Sequence, residues 1–184
     1  MAPAPDELAP GDLVRLRAAH GWLELGLPME ARREAESVTE AARFHLATLD
    51  VQRAVAASIG DWTAAHRLGE LFVQHHPQFE AGWVHRAYAA RRMAGGGLEL
   101  ALRQLLPALD PFPDCIIIPY NLACYACQLE DTRRAQAWFA VAEEREARQA
   151  KVPLGSTRRM AMEDDDLIPI RAWIRDLPPP RRLG

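Results

Sequence analysis

The chain has 184 residues, of which 49% are hydrophobic and 26% are charged, an ordinary composition for a globular protein. A net charge of −3 argues against a nucleic-acid backbone or an anionic membrane as the main partner. The N-terminal sequence has no basic region and no long apolar run, so neither a signal peptide nor a membrane span is expected there. We therefore expect one cytoplasmic domain whose three cysteines do not form a disulfide framework.

Residues 1–11 are predicted to form a flexible lead-in, after which apolar and small residues recur at helical spacing. The predicted helices span residues 12–25, 28–42, 46–59, 61–75, 79–93, 97–109, 116–129 and 131–148. Pro28 lies at the start of the second helix, where its missing N–H does little harm. Asp61 precedes the fourth helix and is a good N-cap, because its carboxylate can accept from unpaired backbone N–H groups.

The stretch from Tyr120 to Ala142 divides into two helical faces at Glu130, which predicts an antiparallel helix pair. The same register recurs upstream, since a small residue stands five positions after each predicted turn. These residues are Ala31, Ala65, Ala101 and Ala135. Their intervals are 34, 36 and 34 residues, and the irregular interval falls in the glycine run 95–97. A small residue on each helix lets the two backbones approach closely.

This period resembles that of tetratricopeptide repeat (TPR) proteins. Trp83 stands where an aromatic residue often opens a repeat, and Pro77 and Pro113 match the proline that closes one. The resemblance covers residues 12–148 and implies an all-α superhelix, a TPR-like solenoid of about four helix pairs. The repeats would span residues 12–45, 46–79, 80–115 and 116–149. The phrases GWVHRAYAARR and IPYNLACYACQL resemble small stand-alone bacterial TPR proteins, which implies a solitary adaptor rather than part of a large enzyme.

The TPR family binds an extended peptide or a partner's helix in a concave groove lined by the first helix of each repeat. Carried over by position, the groove would be lined by Leu16, His20, Leu23, Val84, Tyr88, Arg91, Arg92, Tyr120, Asn121, Cys124 and Gln128. This lining implies an apolar peptide with an acidic residue facing Arg91 or Arg92. In the alternative interpretation, Tyr88 and Tyr120 pack between neighbouring helices and the arginines are only solvated.

Residues 150–177 are predicted to cap the open apolar end that the last repeat of a solenoid leaves. Pro153 and Gly155 break the preceding helix, and the acidic run 163–166 favours a new helix that carries residues 167–174. Two alternatives stay open: residues 167–174 occupy the groove as a built-in competitor, or the acidic run binds a divalent cation. Residues 178–184 are predicted to form a mobile, extended tail.

Cys124 and Cys127 have the spacing of a redox pair or of half a zinc site. A zinc site needs further ligands, and the sequence has no second CxxC and no nearby histidine pair, although Cys115 could add a third thiol. Because the pair lies inside a predicted helix, packing is the favoured interpretation, with metal binding and redox sensing as alternatives. No GxSxG or HExxH signature occurs, so we expect no enzyme activity, cofactor or metal.

Three functions remain. The favoured one is a protein-binding adaptor that uses the groove, which predicts an exposed surface at Tyr88 and Tyr120. The second is structural self-assembly into a homo-oligomer through the end faces or residues 116–118. The third is an enzyme or metal protein that uses Cys115, Cys124 and Cys127.

Overall fold

Helices make up 72% of the computed structural model, which describes residues 8–183. No strand occurs among those residues, and the ten α-helices pack mainly against their neighbours in sequence. The all-α prediction is therefore confirmed. Of the predicted lead-in, residues 1–7 lie outside the described part, and the first helix already begins at Pro10.

The chain forms two compact units, and the first unit ends at Gly95. Its helices are α1 (Pro10–Glu24), α2 (Pro28–Glu36), α3 (Leu46–Ser58), α4 (Trp62–His75) and α5 (Glu80–Arg92). Helix α1 packs on α2, α3 packs on α4, and α4 packs on α5. The predicted second helix, residues 28–42, is too long, because Thr39 donates its N–H to buried Asp12 instead of to a helical carbonyl. A short 3-10 helix, Glu40–Ala42, follows.

The second unit begins at Gly96, inside the predicted glycine turn. Its helices are α6 (Leu98–Leu105), α7 (Ile117–Gln128), α8 (Thr132–Arg148), α9 (Ser156–Glu163) and α10 (Arg171–Asp176), with 3-10 helices at Leu106–Ala108 and Asp165–Ile170. Pro107, which has no N–H, ends α6 earlier than the predicted residue 109. The predicted helix start in the acidic run is confirmed, as a 3-10 helix whose N-cap is Asp164 and which leads into α10. Helix α9, which ends at Glu163, was not predicted.

Three turns between paired helices have the same hydrogen-bond pattern. The N–H groups of Leu27, Asp61 and Asp131 each donate to the carbonyl five residues earlier, at 2.8, 2.9 and 2.9 Å. The residue before each of these donors, Gly26, Gly60 and Glu130, has a φ of 72°, 75° and 63°. This is the Schellman end of a helix, in which one left-handed residue reverses the chain. The turns therefore repeat at the predicted register.

The acidic residue after two of these turns caps the next helix. Asp61 Oδ1 accepts from the Ala64 N–H at 3.0 Å, which confirms the predicted N-cap. Asp131 Oδ1 accepts from the Arg134 N–H at 2.9 Å in the same way. Each carboxylate satisfies one of the N–H groups that the first turn of a helix leaves unpaired.

Small residues let neighbouring helices approach closely in both units. The register alanines at positions 31, 65, 101 and 135 are at most 1% exposed, as close packing requires. Two glycines of the first unit allow a still closer approach between helices. A Cβ on Gly69 would lie 2.8 Å from the Arg86 Cα, and a Cβ on Gly82 would lie 2.2 Å from the Phe72 ring. The contact between α4 and α5 therefore has no room for a methyl group at either glycine.

Glu146 links α8 to α9 in the second unit. Its carboxylate is buried and accepts from the backbone N–H groups of Gly155 and Thr157 and from the hydroxyl groups of Ser156 and Thr157. Burial raises the pKa of Glu146, but the hydrogen bonds from Thr157, Ser156 and Gly155 outweigh it, so the net pKa lies below its usual value. The Glu146 side chain thus satisfies N–H groups at the start of α9 although Glu146 stands ten residues before that helix, whose N-cap residue is Gly155.

The described part of the C-terminal tail has no regular secondary structure and is anchored on the end of α8. Arg182 donates to the carbonyl groups of Glu146 at 3.0 Å and Gln149 at 2.8 Å, and also to that of Val152. The Leu183 N–H donates to the Ala147 carbonyl at 3.2 Å. These carbonyls lie at and just after the end of α8, where helical partners run out. The tail was predicted to be mobile because the sequence gives no sign of these hydrogen bonds between Arg182 or Leu183 and the end of α8.

We predict that Gly82→Ala destabilises the first unit. The new methyl group would meet the buried Phe72 ring, and such overpacking costs about 1–3 kcal/mol, which exceeds the helix propensity gained. Gly21→Ala is the matched control, because a Cβ at Gly21 meets nothing within 4 Å and should stabilise α1 by about 0.5–1 kcal/mol. Urea unfolding followed by circular dichroism measures both. Equal stability of Gly82→Ala and wild type would contradict the close contact.

We predict that Glu146→Gln destabilises the second unit by about 2 kcal/mol at pH 7, because an amide cannot accept all four hydrogen bonds. A folded-state pKa below the unfolded value, about 4.3, means that ionised Glu146 stabilises the fold above that pH. This stabilisation is lost as the pH falls through the folded-state pKa. The difference in free energy of unfolding between wild type and variant should therefore shrink from pH 5 to pH 3.

Glu144→Gln is the control for this prediction. Glu144 is exposed and pairs with Arg148 on the same helix, so its loss should change stability by less than about 0.5 kcal/mol at any pH. A difference between Glu146→Gln and wild type that stays constant with pH would show that the carboxylate charge does not matter.

Candidate functional site

An aromatic and basic surface lies on α5 in the first unit. The Tyr88 ring is 40% exposed and meets Trp62 of α4 edge to face, with 5.8 Å between ring centroids. The Arg92 guanidinium lies over the Tyr88 ring at 3.5 Å from its centroid and 5.3 Å from that of Trp62. We call Val84, Tyr88 and Arg92, which follow one another at four-residue spacing, the α5 surface. Such spacing places all three on one side of the helix.

A cavity of about 320 Å³ lies beside the α5 surface. Its walls come from α3, α4 and α5 and include Ala57, Trp62, Ala65, Val84, His85 and Tyr88. The walls are mainly apolar, and the mostly buried Arg53 adds a guanidinium to them. Concave apolar pockets with a few polar groups are the usual form of a ligand site.

The polar groups of this cavity differ in charge. Burial, together with nearby Arg53, lowers the pKa of His85 to about 4, so its imidazole is neutral at pH 7. Arg53 donates to Asp50 at 2.8 Å, which balances its charge. Arg92 is exposed and makes no ion pair with a carboxylate among the contacts of the described residues. The open positive charge therefore lies at the Arg92 end of the α5 surface.

The other groove candidates of the first unit are placed differently. Leu16 is 3% exposed and belongs to the core. Leu23 is half-buried and packs with Ala19, Ala31, Ala35 and Val55. His20 is exposed, with its ring nitrogen 3.5 Å from Glu24 of the same helix. Arg91 is half-buried. Only Val84, Tyr88 and Arg92 therefore form one accessible surface beside the cavity.

In the second unit, the matching candidates are covered by the chain itself. Tyr120 is only 5% exposed, so the prediction of an exposed Tyr120 is wrong. Its hydroxyl donates to Asp164 Oδ2 at 3.0 Å, and the Cys124 thiol donates to the same oxygen. Gln128 donates to the Asp166 carbonyl at 3.1 Å. The covering segment, residues 164–170, begins with carboxylates and continues with apolar residues; we call it the acidic-apolar segment.

The acidic-apolar segment is a structural part of the second unit. Leu167 and Ile170 are at most 1% exposed, whereas Ile168 between them is 56% exposed. A 3-10 helix brings residues three apart onto one side, so Leu167 and Ile170 face inward together. The segment therefore covers the face of α7 that the groove would use, and it does so as buried core. Asn121 donates to the Ile117 carbonyl within α7.

The cysteines pack as the favoured interpretation predicts. Cys124 and Cys127 are buried, and none of the three cysteines forms a disulfide. Burial and the nearby carboxylates raise the pKa of Cys124 far above its usual range, and burial raises that of Cys127 to about 11. Since the thiolate is the reactive form, both thiols are poor nucleophiles at pH 7.

Cys124, Asp164 and Asp166 lie close enough together to share a metal ion, with one ligand atom of each within 4.8 Å of the others. The geometry also has a simpler explanation. Asp164 already accepts hydrogen bonds from Tyr120 and Cys124, and its Oδ1 caps the Asp166 N–H at 3.0 Å. These bonds hold the acidic-apolar segment on α7.

The edge considered for self-assembly, residues 116–118, is only partly accessible. Ile118 is fully buried and Ile116 is half-buried, so Ile117, at 42%, is the exposed member. One exposed side chain gives little area for a stable interface.

Sequence reasoning missed three residues of the candidate site, namely Trp62, Arg53 and His85. None of the three is among the residues that the repeat register places in the groove. Their position beside Tyr88 depends on how α3, α4 and α5 pack. The one available signal was Trp62 itself, a large aromatic residue at the start of the helix that precedes α5.

No protein-family model matches the chain, and no curated protein matches it. Within residues 8–183, no helix combines the length and apolar character that a membrane span requires.

We predict that Leu167→Ala destabilises the second unit by about 2–5 kcal/mol, because it leaves a cavity under the acidic-apolar segment. Ile168→Ala is the matched control. This neighbour is mostly exposed, and its loss should cost less than about 0.5 kcal/mol. Thermal unfolding measures both variants. Equal melting temperatures for the two would mean that the segment is a loosely held competitor rather than core.

Proposed function

We propose that this chain is a TPR-like adaptor that binds a segment of a partner protein on the α5 surface. The observation that carries this proposal is an exposed tyrosine stacked under an arginine at the edge of an apolar cavity. Aromatic residues and arginine are enriched at protein interfaces, where they supply most of the binding energy.

Two features support the TPR-like assignment. Schellman turns recur at Gly26, Gly60 and Glu130, with the same hydrogen bonds each time. The alanines that define the 34-residue register are all buried. Repeated turns and repeated small residues at one period are what a solenoid of helix pairs requires.

The chemistry of the cavity favours binding over catalysis. Its lining includes neither a thiol nor a carboxylate, and its histidine is neutral and buried. Exposure of Tyr88 leaves apolar ring surface in water, which a partner would remove. In a structural role alone, this ring would gain more by packing inward. The groove interpretation is therefore preferred for the first unit.

Affinity capture from the native host's lysate tests this function. We expect a specific protein to be retained by the wild type and to be recovered about tenfold less with Tyr88→Ala, because truncating an aromatic anchor costs most of its binding energy. The captured protein is identified by mass spectrometry, and the helicity of each variant is checked first.

Phe79→Ala is the matched control. Phe79 is an aromatic residue at the opposite end of α5 with almost the same exposure, 39%, and its loss should leave capture unchanged. Equal capture by the wild type and Tyr88→Ala would contradict the proposal. Capture of only the chain itself would instead favour the self-assembly alternative, which concentration-dependent mass on a sizing column then tests.

A further inference from the structure

The two units contain helices in the same repeat position, and these helices use the same face differently. Trp83 and Pro119 hold matching positions, so residues of α5 match residues of α7 that stand 36 positions later. Both helices end at matching residues, Arg92 and Gln128. The residues Val84, Tyr88 and Arg92 of the α5 surface therefore correspond to Tyr120, Cys124 and Gln128 of α7.

On α7 this face binds a segment of known chemistry. Tyr120 and Cys124 donate to the Asp164 carboxylate, and Gln128 donates to the backbone of Asp166. Leu167 and Ile170 then turn inward, three and six positions after Asp164. The second unit thus contains one worked example of what this face of the repeat accepts: a carboxylate followed by apolar residues at intervals of three.

The α5 surface also combines apolar space with a polar group, but its polar group is Arg92, at the end of the helix where α7 has Gln128. An apolar cavity lies beside Val84 and Tyr88, and it is large enough for one bulky or two small apolar side chains. Arg92 stands where α7 has the neutral Gln128, and its guanidinium is held over the Tyr88 ring. A held guanidinium binds a carboxylate through charge-assisted hydrogen bonds.

We propose that the α5 surface binds a partner segment in which an acidic residue is followed by apolar residues one and four positions later, the spacing of Asp166, Leu167 and Ile170. The carboxylate pairs with Arg92, and the apolar side chains enter the cavity between α3, α4 and α5. This inference rests on the proposed adaptor function and specifies the chemistry of the partner. The covered face of α7 and the charge of Arg92 are the two observations that select this occupant.

A fluorescent nine-residue peptide that copies residues 163–171 tests the inference by anisotropy with the full chain. We expect saturable binding that weakens as salt is added, since the ion pair with Arg92 is exposed. Arg92→Glu should weaken binding at least tenfold, whereas Arg92→Lys should weaken it less. Arg17→Glu, which makes the same charge change at an exposed position of α1, should leave binding unchanged.

A second peptide, with lysines in place of the three aspartates, completes a charge exchange. It should bind the wild type at least tenfold more weakly than the acidic peptide and should bind Arg92→Glu more tightly than it binds the wild type. Equal binding of both peptides to the wild type, or no saturable binding of the acidic peptide, would overturn the inference. The adaptor function has a separate test. If partner capture depends on Tyr88 but not on Arg92, the adaptor function is supported and the proposed acidic partner segment is wrong.

Discussion

The close contact between α4 and α5 is the constraint on which the first unit depends. At Gly69 and Gly82 the helices are so near that no side chain fits between them. This contact fixes the rotation of α5 about its own axis. Ala87 and Ala90 are consequently fully buried, and Tyr88 between them points outward. The exposed ring is thus a result of the packing on the other side of the helix.

Two buried carboxylates hold together elements that are distant in sequence. Asp12 accepts from both the backbone and the hydroxyl of Thr39, and these hydrogen bonds lower its pKa although burial opposes them. Glu146 does the same for the start of α9. A buried ionised carboxylate is costly unless its oxygens are fully bonded, so each acid restricts its unit to one arrangement of these elements. In each unit, therefore, a buried carboxylate fixes the position of a distant segment through hydrogen bonds.

Most of the helices were predictable because their signals are local. Helical spacing, a glycine at the end of a helix and an aspartate at the start of the next lie within a few residues of one another, and Asp61 shows all of this. Helix α9 was missed because the carboxylate that accepts from its first N–H groups, that of Glu146, belongs to the preceding helix. Tyr120 was expected to be exposed because the residue that covers it, Asp164, stands 44 positions away. In the candidate site, Tyr88 and Arg92 were found from the register, whereas Arg53 and His85 required the packing of α3 and of α5 on α4.

The burial of Cys124 and Cys127 gives the second unit a chemical reporter of its own unfolding. All three cysteines of the chain lie beyond Gly96, so the first unit contains no thiol. Cys124 and Cys127 are buried and protonated under the acidic-apolar segment, and a thiol-modifying reagent reaches them only when that segment leaves α7. Their rate of alkylation therefore follows the opening of one unit in the presence of the other. The stability of the second unit can therefore be measured separately from that of the first unit, and no label has to be added.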